Sequence, residues 1–144
     1  MPDLFFEDFT VGAALPAASL TIAVEEAAFF ASAFGPGPDG GGGDPPLSGW
    51  HVAALGMRLF FDAFLFRTAG LGAPGIDEVT WPHPVRPGDT LRFDGTVAAV
   101  RLSASRPSVG LVTFAIRIVN QDASCVMTQD NTVMVARRSA GAGT

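Results

Sequence analysis

Apolar and polar residues alternate over much of the second half of the chain, which is the pattern of strands with one buried face. The clearest run places an apolar side chain at every second position: Val112, Phe114, Ile116 and Ile118. The same alternation predicts strands over 91–100 and 125–136. In the first of these, one face is expected to carry Leu91, Phe93, Val97 and Ala99. Turn-forming residues at 120–123 join the last two strands, so we expect neighbouring strands to run antiparallel.

The first half of the chain changes from a strand pattern to a helical one. A short apolar run over 19–24 predicts a strand, and a second strand is predicted over 76–81, where Pro82 ends it. Helical spacing appears between them in a set of apolar residues: Ala27, Phe30 and Phe34. Glu25 and Glu26 suit the first turn of this helix, because they favour the positive end of the helix dipole. Gly and Pro at 35–36 are expected to end it.

A long apolar segment predicts a central helix, from Ser48 as its N-cap to about Arg67. Its apolar side chains lie on every face: Val52, Leu55, Met57, Leu59, Phe60, Phe61, Phe64, Leu65 and Phe66. A helix that is hydrophobic all round is expected to be surrounded by protein, while Arg58 and Asp62 are spaced to form an ion pair. The predicted sheet needs such a helix to cover its inner face. The predicted fold class is therefore α+β, with an antiparallel sheet wrapped around one long helix.

The chain of 144 residues suits one domain, which we expect to span residues 1–138. Residues 35–46 are almost entirely glycine and proline, and are predicted to form a flexible loop inside this domain because no regular element tolerates that composition. Residues 139–144 are predicted to be a disordered tail.

Composition excludes several classes of protein. Hydrophobic residues make up 48% of the chain and charged residues 16%, which excludes a disordered chain. The net charge of −5 lacks the basic footprint of a nucleic-acid-binding protein, so no nucleic-acid partner is expected. Cys125 is the one cysteine, which excludes an intramolecular disulfide and a cysteine-based metal cluster. We expect neither a metal nor a cofactor.

The sequence also predicts where the protein resides. The first ten residues carry acidic side chains and lack the basic start and apolar run of a signal peptide. The apolar segment 52–66 is too short to cross a bilayer and contains Arg58 and Asp62. A cytoplasmic protein that is not inserted in a membrane is expected, and a lone cysteine suits a reducing compartment.

Three segments carry a resemblance to a known family. They are Phe6-Glu7-Asp8-Phe9-Thr10-Val11-Gly12, then Ser48-Gly49-Trp50-His51, and Asp77-Glu78-Val79-Thr80-Trp81 leading to Pro84-Val85-Arg86-Pro87-Gly88-Asp89-Thr90-Leu91. These segments resemble the MaoC-like acyl dehydratases, which include (R)-specific enoyl-CoA hydratases. The resemblance implies the hotdog fold, in which a sheet of about five strands wraps one helix and domains usually pair into dimers. It also implies reversible hydration of a 2-enoyl thioester of coenzyme A or a carrier protein.

Active members of this family carry an Asp and a His after the first helix, in a motif that reads approximately Tyr/Phe-Asp-Pro-Gln-Pro-Phe-His. One group deprotonates the water that adds at C3, and the other handles the proton at C2. In the matching stretch, which starts at Phe34, the resemblance puts Gly35 at the Asp position and Gly40 at the His position. Glycine has no titratable group, so the resemblance implies a protein without the ordinary hydratase dyad.

No catalytic residue is assigned with this dyad missing, and His51 and Asp44 remain as candidates. They form a conceivable replacement pair, because His51 lies in the first turn of the central helix. The alternative is that Asp39 and Asp44 are solvated carboxylates in a loop poorly suited to hold a general base. His51 would then make a structural hydrogen bond.

The candidate substrate-binding residues are Ser48, Gly49, Trp50, His51 and Trp81. Free N–H groups in the first turn of a helix suit an oxyanion hole, and Gly49 lets a carbonyl oxygen approach them closely. A packing role for Gly49 is the alternative. Trp50 and Trp81 suit an acyl-binding wall, although membership of the core is the simpler interpretation.

The sequence therefore predicts an acyl-thioester (acyl-CoA) binding protein related to enoyl-CoA hydratases. Its expected partners are an acyl-CoA or acyl-carrier thioester, and a second subunit in a homodimer or in a heterodimer with a MaoC-like homologue. Two alternatives remain open. The chain is a non-catalytic subunit that completes the site of an active homologue, or it is a thioesterase or hydratase whose rearranged site uses Asp44 and His51.

Overall fold

The computed structural model describes residues 1–36 and 45–138. Within these ranges it has five strands and two α-helices, β1 (Ser19–Thr21), α1 (Val24–Phe34), α2 (Gly49–Ala63), β2 (Gly70–Thr80), β3 (Thr90–Leu102), β4 (Val109–Val119) and β5 (Cys125–Ala136). Short 3-10 turns occupy Phe6–Asp8 and Leu65–Arg67. The loop predicted at 35–46 is described only at its two ends, and the tail predicted at 139–144 lies outside the described residues.

The strands form one antiparallel sheet in the order β1-β3-β4-β5-β2. The strands β3, β4 and β5 are consecutive in the chain and adjacent in the sheet, as predicted. Asn120 closes the turn between β4 and β5, because its side-chain oxygen accepts hydrogen bonds from the N–H groups of Asp122 and Ser124. With α2 against the inner face of this sheet, the protein has the α+β hotdog fold.

The core lies between one face of α2 and the inner face of the sheet. The alternation predicted for β4 is confirmed by four buried side chains: Val112, Phe114, Ile116 and Ile118. Phe60 of α2 stacks on Phe93 with ring centroids 5.7 Å apart, and meets the edge of Phe114 at 5.2 Å. Burying one such ring contributes about 1.5–3 kcal/mol. The packing of α2 on the sheet is therefore one source of the apolar stabilisation.

The opposite face of α2 is not covered by the described residues. Met57 and Phe61 remain 48% and 45% exposed, and Phe66 in the 3-10 turn that follows is 58% exposed. The prediction that this helix is surrounded by protein is therefore wrong for a single chain, because one sheet covers only one side of a helix. The predicted ion pair also forms at the surface, where Nε of Arg58 lies 2.9 Å from Oδ2 of Asp62.

Two strand predictions need correction. The alternation predicts Ala99 on the inner face, but a β-bulge between Val97 and Ala99 turns Ala99 outward and leaves Val100 packed against the core. Strand β2 begins at Gly70 rather than at Ile76, and nearly all of its residues are exposed. Alternation could not predict this start, because neither face of β2 is fully buried.

The helix boundaries differ slightly from the predicted ones. The strand predicted over 19–24 ends at Thr21, and Val24 is instead the first residue of α1. The central helix ends at Ala63, since Phe64 leaves helical geometry with a φ of −165° and a 3-10 turn follows. In the ranges that the structure describes, neither helix has the length and apolar composition needed to cross a membrane.

The N-terminal segment packs against β4 and contacts the other end of the described chain. The ring of Phe6 lies on Gly110 and leaves no room for a Cβ there. The carboxylate of Glu7 accepts a hydrogen bond from the N–H of Arg138 at 2.8 Å, and lies 3.1 Å from Nε of Arg137. These contacts, first the hydrogen bond from Arg138, lower the pKa of Glu7. The segment is therefore part of the folded domain.

Candidate functional site

The predicted substrate-binding residues lie around the N-terminus of α2. The prolines at 45–46 disfavour a helix before this point, and Ser48 then caps α2, because its Oγ accepts a hydrogen bond from the N–H of Trp50 at 3.2 Å. The N–H groups of Gly49 and His51 have no acceptor among the described residues. Two donors are thus free for a ligand at the positive end of the helix dipole.

A cavity of about 200 Å³ lies between α1 and the N-terminus of α2, and we call it the α1–α2 cavity. Helix α1 lines it with small side chains and one ring: Ala27, Ala28, Ala31 and Phe30. Ser48 and His51 line it from α2. Among the described lining residues, His51 is the one titratable side chain, so any acid–base chemistry in this cavity depends on it.

His51 is only 4% exposed and is held by two residues of α1. Its ring stacks on Phe30, with centroids 4.3 Å apart and planes inclined by 7°. Its Nε2 lies 3.6 Å from Oε2 of Glu26. Burial lowers the pKa of His51, because the imidazolium ion would lose hydration, and the Glu26 carboxylate partly opposes this shift. His51 is therefore a neutral imidazole at pH 7 with a carboxylate beside it.

Trp81 packs against Gly49 at the start of the helix. A Cβ at residue 49 would lie 2.7 Å from Cε2 of Trp81, so the contact requires a glycine. Both residues line a second cavity of about 280 Å³, together with His83, and we call it the Trp81 cavity. Packing accounts for Gly49 in this chain, and its role in an oxyanion hole stays a prediction.

Trp50 lies at the surface. It is 68% exposed, and its ring meets the edge of Trp81 at a centroid distance of 5.5 Å. Its interpretation as a core residue is wrong, because position 50 lies about 200° around the helix from the buried Val52. The two indoles instead present an aromatic surface beside the start of α2.

The structure thus brings the predicted residues to one helix end but divides them between two cavities. Ser48 and His51 line the α1–α2 cavity, whereas Gly49 and Trp81 line the Trp81 cavity. Residues 46–47 line both cavities and separate them. The site is therefore two pockets that share the first turn of α2.

The expected positions of the Asp/His dyad are described only in part. Gly35 ends α1 with a φ of +105°, a conformation that favours glycine. A Cβ at this residue would meet no atom of the described residues within 4 Å. Gly40, Asp39 and Asp44 lie outside the described residues. Residue 35 therefore lacks the carboxylate expected at the Asp position of the dyad, and its backbone conformation favours glycine.

The pairing of Glu26 with His51 was not predicted from the sequence. Glu25 and Glu26 suit the dipole of α1 equally well, so that argument does not distinguish them. Their spacing from Phe30 does, because residues i and i+4 share one face of a helix and only Glu26 stands at that distance. The face that carries Glu26 and Phe30 is the one that contacts His51.

A third cavity, of about 260 Å³, lies between the exposed face of α2 and strand β2, and we call it the α2–β2 cavity. Met57 and Phe61 line it together with Asn131 of β5. The Nδ2 of Asn131 donates to Oε1 of Gln129 at 3.1 Å, but its buried Oδ1 accepts no hydrogen bond within the described part of the chain. A buried acceptor without a donor costs about 1–3 kcal/mol. Asn131 therefore leaves one buried acceptor unsatisfied within the described residues.

The described residues form no metal site, and their one thiol lies outside the cavities. No three His, Cys, Asp or Glu side chains in 1–36 and 45–138 come together as metal ligands would. Cys125 is a free, half-buried thiol whose Sγ lies 3.5 Å from the carbonyl oxygen of Met127. The thiol does not line any of the three cavities described above.

Comparison with known proteins gives matches among solved structures. No protein-family profile and no curated protein sequence matches the chain. The MaoC-like dehydratase from Rhodospirillum rubrum is 34% identical, with a TM-score of 0.81 over 95% of this chain and 99% of that chain. A Mycobacterium tuberculosis protein with a double hotdog fold is 16% identical, with a TM-score of 0.79 over 94% of this chain and 45% of that chain. The HadBC (3R-hydroxyacyl-ACP dehydratase) complex from Mycobacterium tuberculosis is 20% identical, with a TM-score of 0.66 over 86% of this chain and 96% of that chain.

These similarities differ in what they establish. The two Mycobacterium tuberculosis structures share the fold, at 16% and 20% identity. The Rhodospirillum rubrum protein matches almost the whole of both chains at 34% identity, and it agrees with the resemblance that the sequence segments carry. The chain therefore belongs to the family of MaoC-like dehydratases.

Proposed function

We propose that this protein binds the acyl group of an acyl thioester, carried by coenzyme A or an acyl-carrier protein, at the N-terminus of α2. The observation that carries the proposal is the α1–α2 cavity beside the N–H groups of Gly49 and His51, which lack an acceptor among the described residues. A thioester carbonyl needs such donors, and an acyl chain needs an apolar wall. Ser48 completes the cavity, while Trp50 and Trp81 offer an aromatic surface for the carrier arm.

The bound thioester is not hydrated by the family's ordinary route. The Rhodospirillum rubrum relative is named a dehydratase, but we do not propose that activity for this chain. Gly35 lacks a titratable group, and its φ of +105° disfavours any residue that has one. The sequence also has Gly40 at the second dyad position. General acid–base catalysis contributes about 10²- to 10⁴-fold, so its loss removes ordinary turnover.

Two measurements test this proposal. Isothermal titration with butyryl-coenzyme A is expected to give weak, saturable binding that is reduced by Trp81→Ala and unchanged by Leu102→Ala, a change of an exposed residue on β3. The loss of enoyl absorbance with a short 2-enoyl-coenzyme A is expected to be undetectable. Absence of binding would refute the acyl-thioester site. Hydration at the rate of ordinary enzymes would refute the proposal that this chain lacks hydratase activity.

A second candidate function, a subunit that pairs with another hotdog chain, is favoured by an exposed apolar surface. This β2 surface consists of Leu71 and Ile76 on the edge strand β2, and Met57 and Phe61 on α2, each between 45% and 48% exposed. Asn131, whose buried Oδ1 accepts no hydrogen bond from the described residues, is one of the residues that line the cavity between these two elements. We propose that a second copy of this chain covers the β2 surface, because edge strands and apolar patches of this kind mark interfaces.

The shape of β2 limits how two copies pair. Pro74 has no N–H group, and the register of β2 against β5 shifts on both sides of it. Backbone pairing with a second chain is therefore expected over residues 76–80 only, with side-chain contacts elsewhere. The HadBC neighbour is named as a complex, so a heterodimer with a MaoC-like homologue is the competing outcome.

A further inference from the structure

His51 and Glu26 form a pair of titratable side chains that is separate from the positions expected for the family's Asp/His dyad. The His51 side chain is 5% exposed and lines the α1–α2 cavity, whereas the Glu26 side chain is 52% exposed and stays hydrated. Because Glu26 faces Nε2, the proton of the neutral ring is expected on Nε2, and Nδ1 is then the basic nitrogen. Stacking on Phe30 restricts the rotation of the ring.

We propose that His51 is a general base that activates water for the hydrolysis of a short acyl thioester in the α1–α2 cavity, and that Glu26 positions it. The inference rests on the proposed function, because the thioester must bind beside the first turn of α2. The same turn supplies the N–H groups of Gly49 and His51, which lack acceptors in the described part of the chain. Base and hydrogen-bond donors are thus found at one helix end.

The reaction needs only water as its second reactant. Nδ1 of His51 takes a proton from water while the water oxygen forms a bond to the thioester carbonyl carbon, and the π electrons of the C=O bond move to its oxygen. The first turn of α2 stabilises this oxyanion. When the C=O bond re-forms, the C–S bond breaks with its electrons on sulfur, and the imidazolium returns its proton to the thiolate. One carboxylic acid and one thiol leave.

Hydrolysis fits the site better than hydration. Adding water across a C=C bond needs a base for the water at C3 and an acid for C2, and the described lining of the cavity has one titratable group. Hydrolysis needs one base that takes a proton and later returns it. Glu26 does not serve as the second group, because it lies beside His51 rather than in the lining of the cavity.

The size of the cavity selects a short acyl group. Its volume of about 200 Å³ is below the roughly 300–1,000 Å³ of typical small-molecule sites. The substrate class is therefore a thioester with a short acyl chain, such as butyryl-coenzyme A. A palmitoyl chain is too large for the cavity.

The experiment measures thiol release from butyryl-coenzyme A with a thiol-reactive dye. His51→Gln is expected to lower kcat by about 100-fold or more, because it removes the general base. Glu26→Gln is expected to lower kcat by about 10-fold, because it lowers the basicity of His51. Glu25→Gln is the matched control, since this residue lies in the same turn whereas the ion pair with His51 is made by Glu26, and it should keep the wild-type rate.

The pH profile separates a positioning role of Glu26 from a merely structural one. The rate should rise with pH through the pKa of His51, because the neutral ring is the base. Glu26→Gln should move this limb to lower pH, since the carboxylate opposes the lowering of the His51 pKa. If His51→Gln fails to fold, this profile decides the question, and an unshifted limb overturns the inference.

The remaining outcomes distinguish this inference from the proposed function. If calorimetry shows that wild-type protein binds butyryl-coenzyme A but no thiol is released, the inference is wrong and the binding proposal stands. If no binding is found, the proposed function fails and the inference fails with it. Folded His51→Gln protein that hydrolyses at the wild-type rate also overturns the inference.

Discussion

The indole of Trp81 lies where a side chain at residue 49 would be, with its Cε2 2.7 Å from the position of a Cβ on Gly49. Gly49 opens α2, and Trp81 directly follows β2. The contact therefore fixes the start of the helix against the end of the edge strand. Because Trp81 is also 38% exposed, the same contact shapes the surface of the proposed binding site.

Gly49→Ala is expected to destabilise the protein by about 1–3 kcal/mol, because the added Cβ must displace the rigid indole of Trp81. Thermal or urea unfolding measures this loss. Gly70→Ala is the matched control, since a Cβ there would lie 4.0 Å from the nearest atom, Cγ1 of Val133. An equal loss of stability in both variants would contradict the packing role of Gly49.

The free energy of unfolding should depend on pH through His51. Its pKa in the folded protein is lowered by burial, below the value of about 6.5 in the unfolded chain. As the pH falls below about 6.5, the unfolded chain binds a proton before the folded protein does, so stability is lost as the pH falls through the folded pKa. His51→Gln should remove this part of the pH dependence.

The direction of the His51 shift is measurable by NMR titration of the imidazole resonances. The chain has two histidines, so the spectrum of His51→Gln protein assigns the His51 resonance. This resonance should titrate below the value of about 6.5 of an unperturbed imidazole, and at still lower pH in Glu26→Gln protein. A His51 pKa above about 6.5 would show that the ion pair with Glu26 outweighs burial.

Gly35→Ala should destabilise the protein by about 1–3 kcal/mol through backbone strain alone. The φ of +105° disfavours a side chain, although no described atom lies within 4 Å of a Cβ placed there. Gly75→Ala is the control, because its Cβ would also meet no described atom within 4 Å and its φ lies outside the left-handed region. For the same reason, Gly35→Asp combined with Gly40→His should restore little hydration. A stable double variant with ordinary turnover would contradict the effect of this strain.

Ile76→Asp is expected to convert a dimer into a monomer, because it puts a charge on the β2 surface next to the strand residues that would pair. Light scattering at micromolar concentration gives the mass. Leu102→Asp is the control, since Leu102 is 52% exposed but lies at the end of β3, away from the edge strand β2. A wild-type monomer would refute the homodimer, and one that binds a co-expressed MaoC-like homologue would establish the heterodimer.

The features predictable from the sequence were those with a local cause. Four alternating residues of β4 are buried as predicted, because burial with a period of two is written into the strand itself. Ser48 caps α2 as predicted, since the hydroxyl and the N–H that it binds are two residues apart. Arg58 and Asp62 are about one helical turn apart, so their ion pair was predictable for the same reason.

The features that escaped prediction arise from contacts between distant elements. The bulge that turns Ala99 outward depends on the register of β3 against β4. The exposure of Met57 and Phe61 depends on how far one sheet reaches around α2. The pairing of Glu26 with His51 depends on the placement of α1 beside α2, which no periodicity within either helix specifies.

The first and last described segments of the chain lie side by side, so the strand pairing does not depend on where the chain starts. Glu7 binds both Arg137 and Arg138, so a short peptide linker can join the two ends. The turn at 121–122 between β4 and β5 is exposed. A circular permutant that joins the ends and opens the chain at this turn keeps every strand beside its present neighbours. The same hotdog sheet can therefore be encoded by more than one order of its elements along the chain.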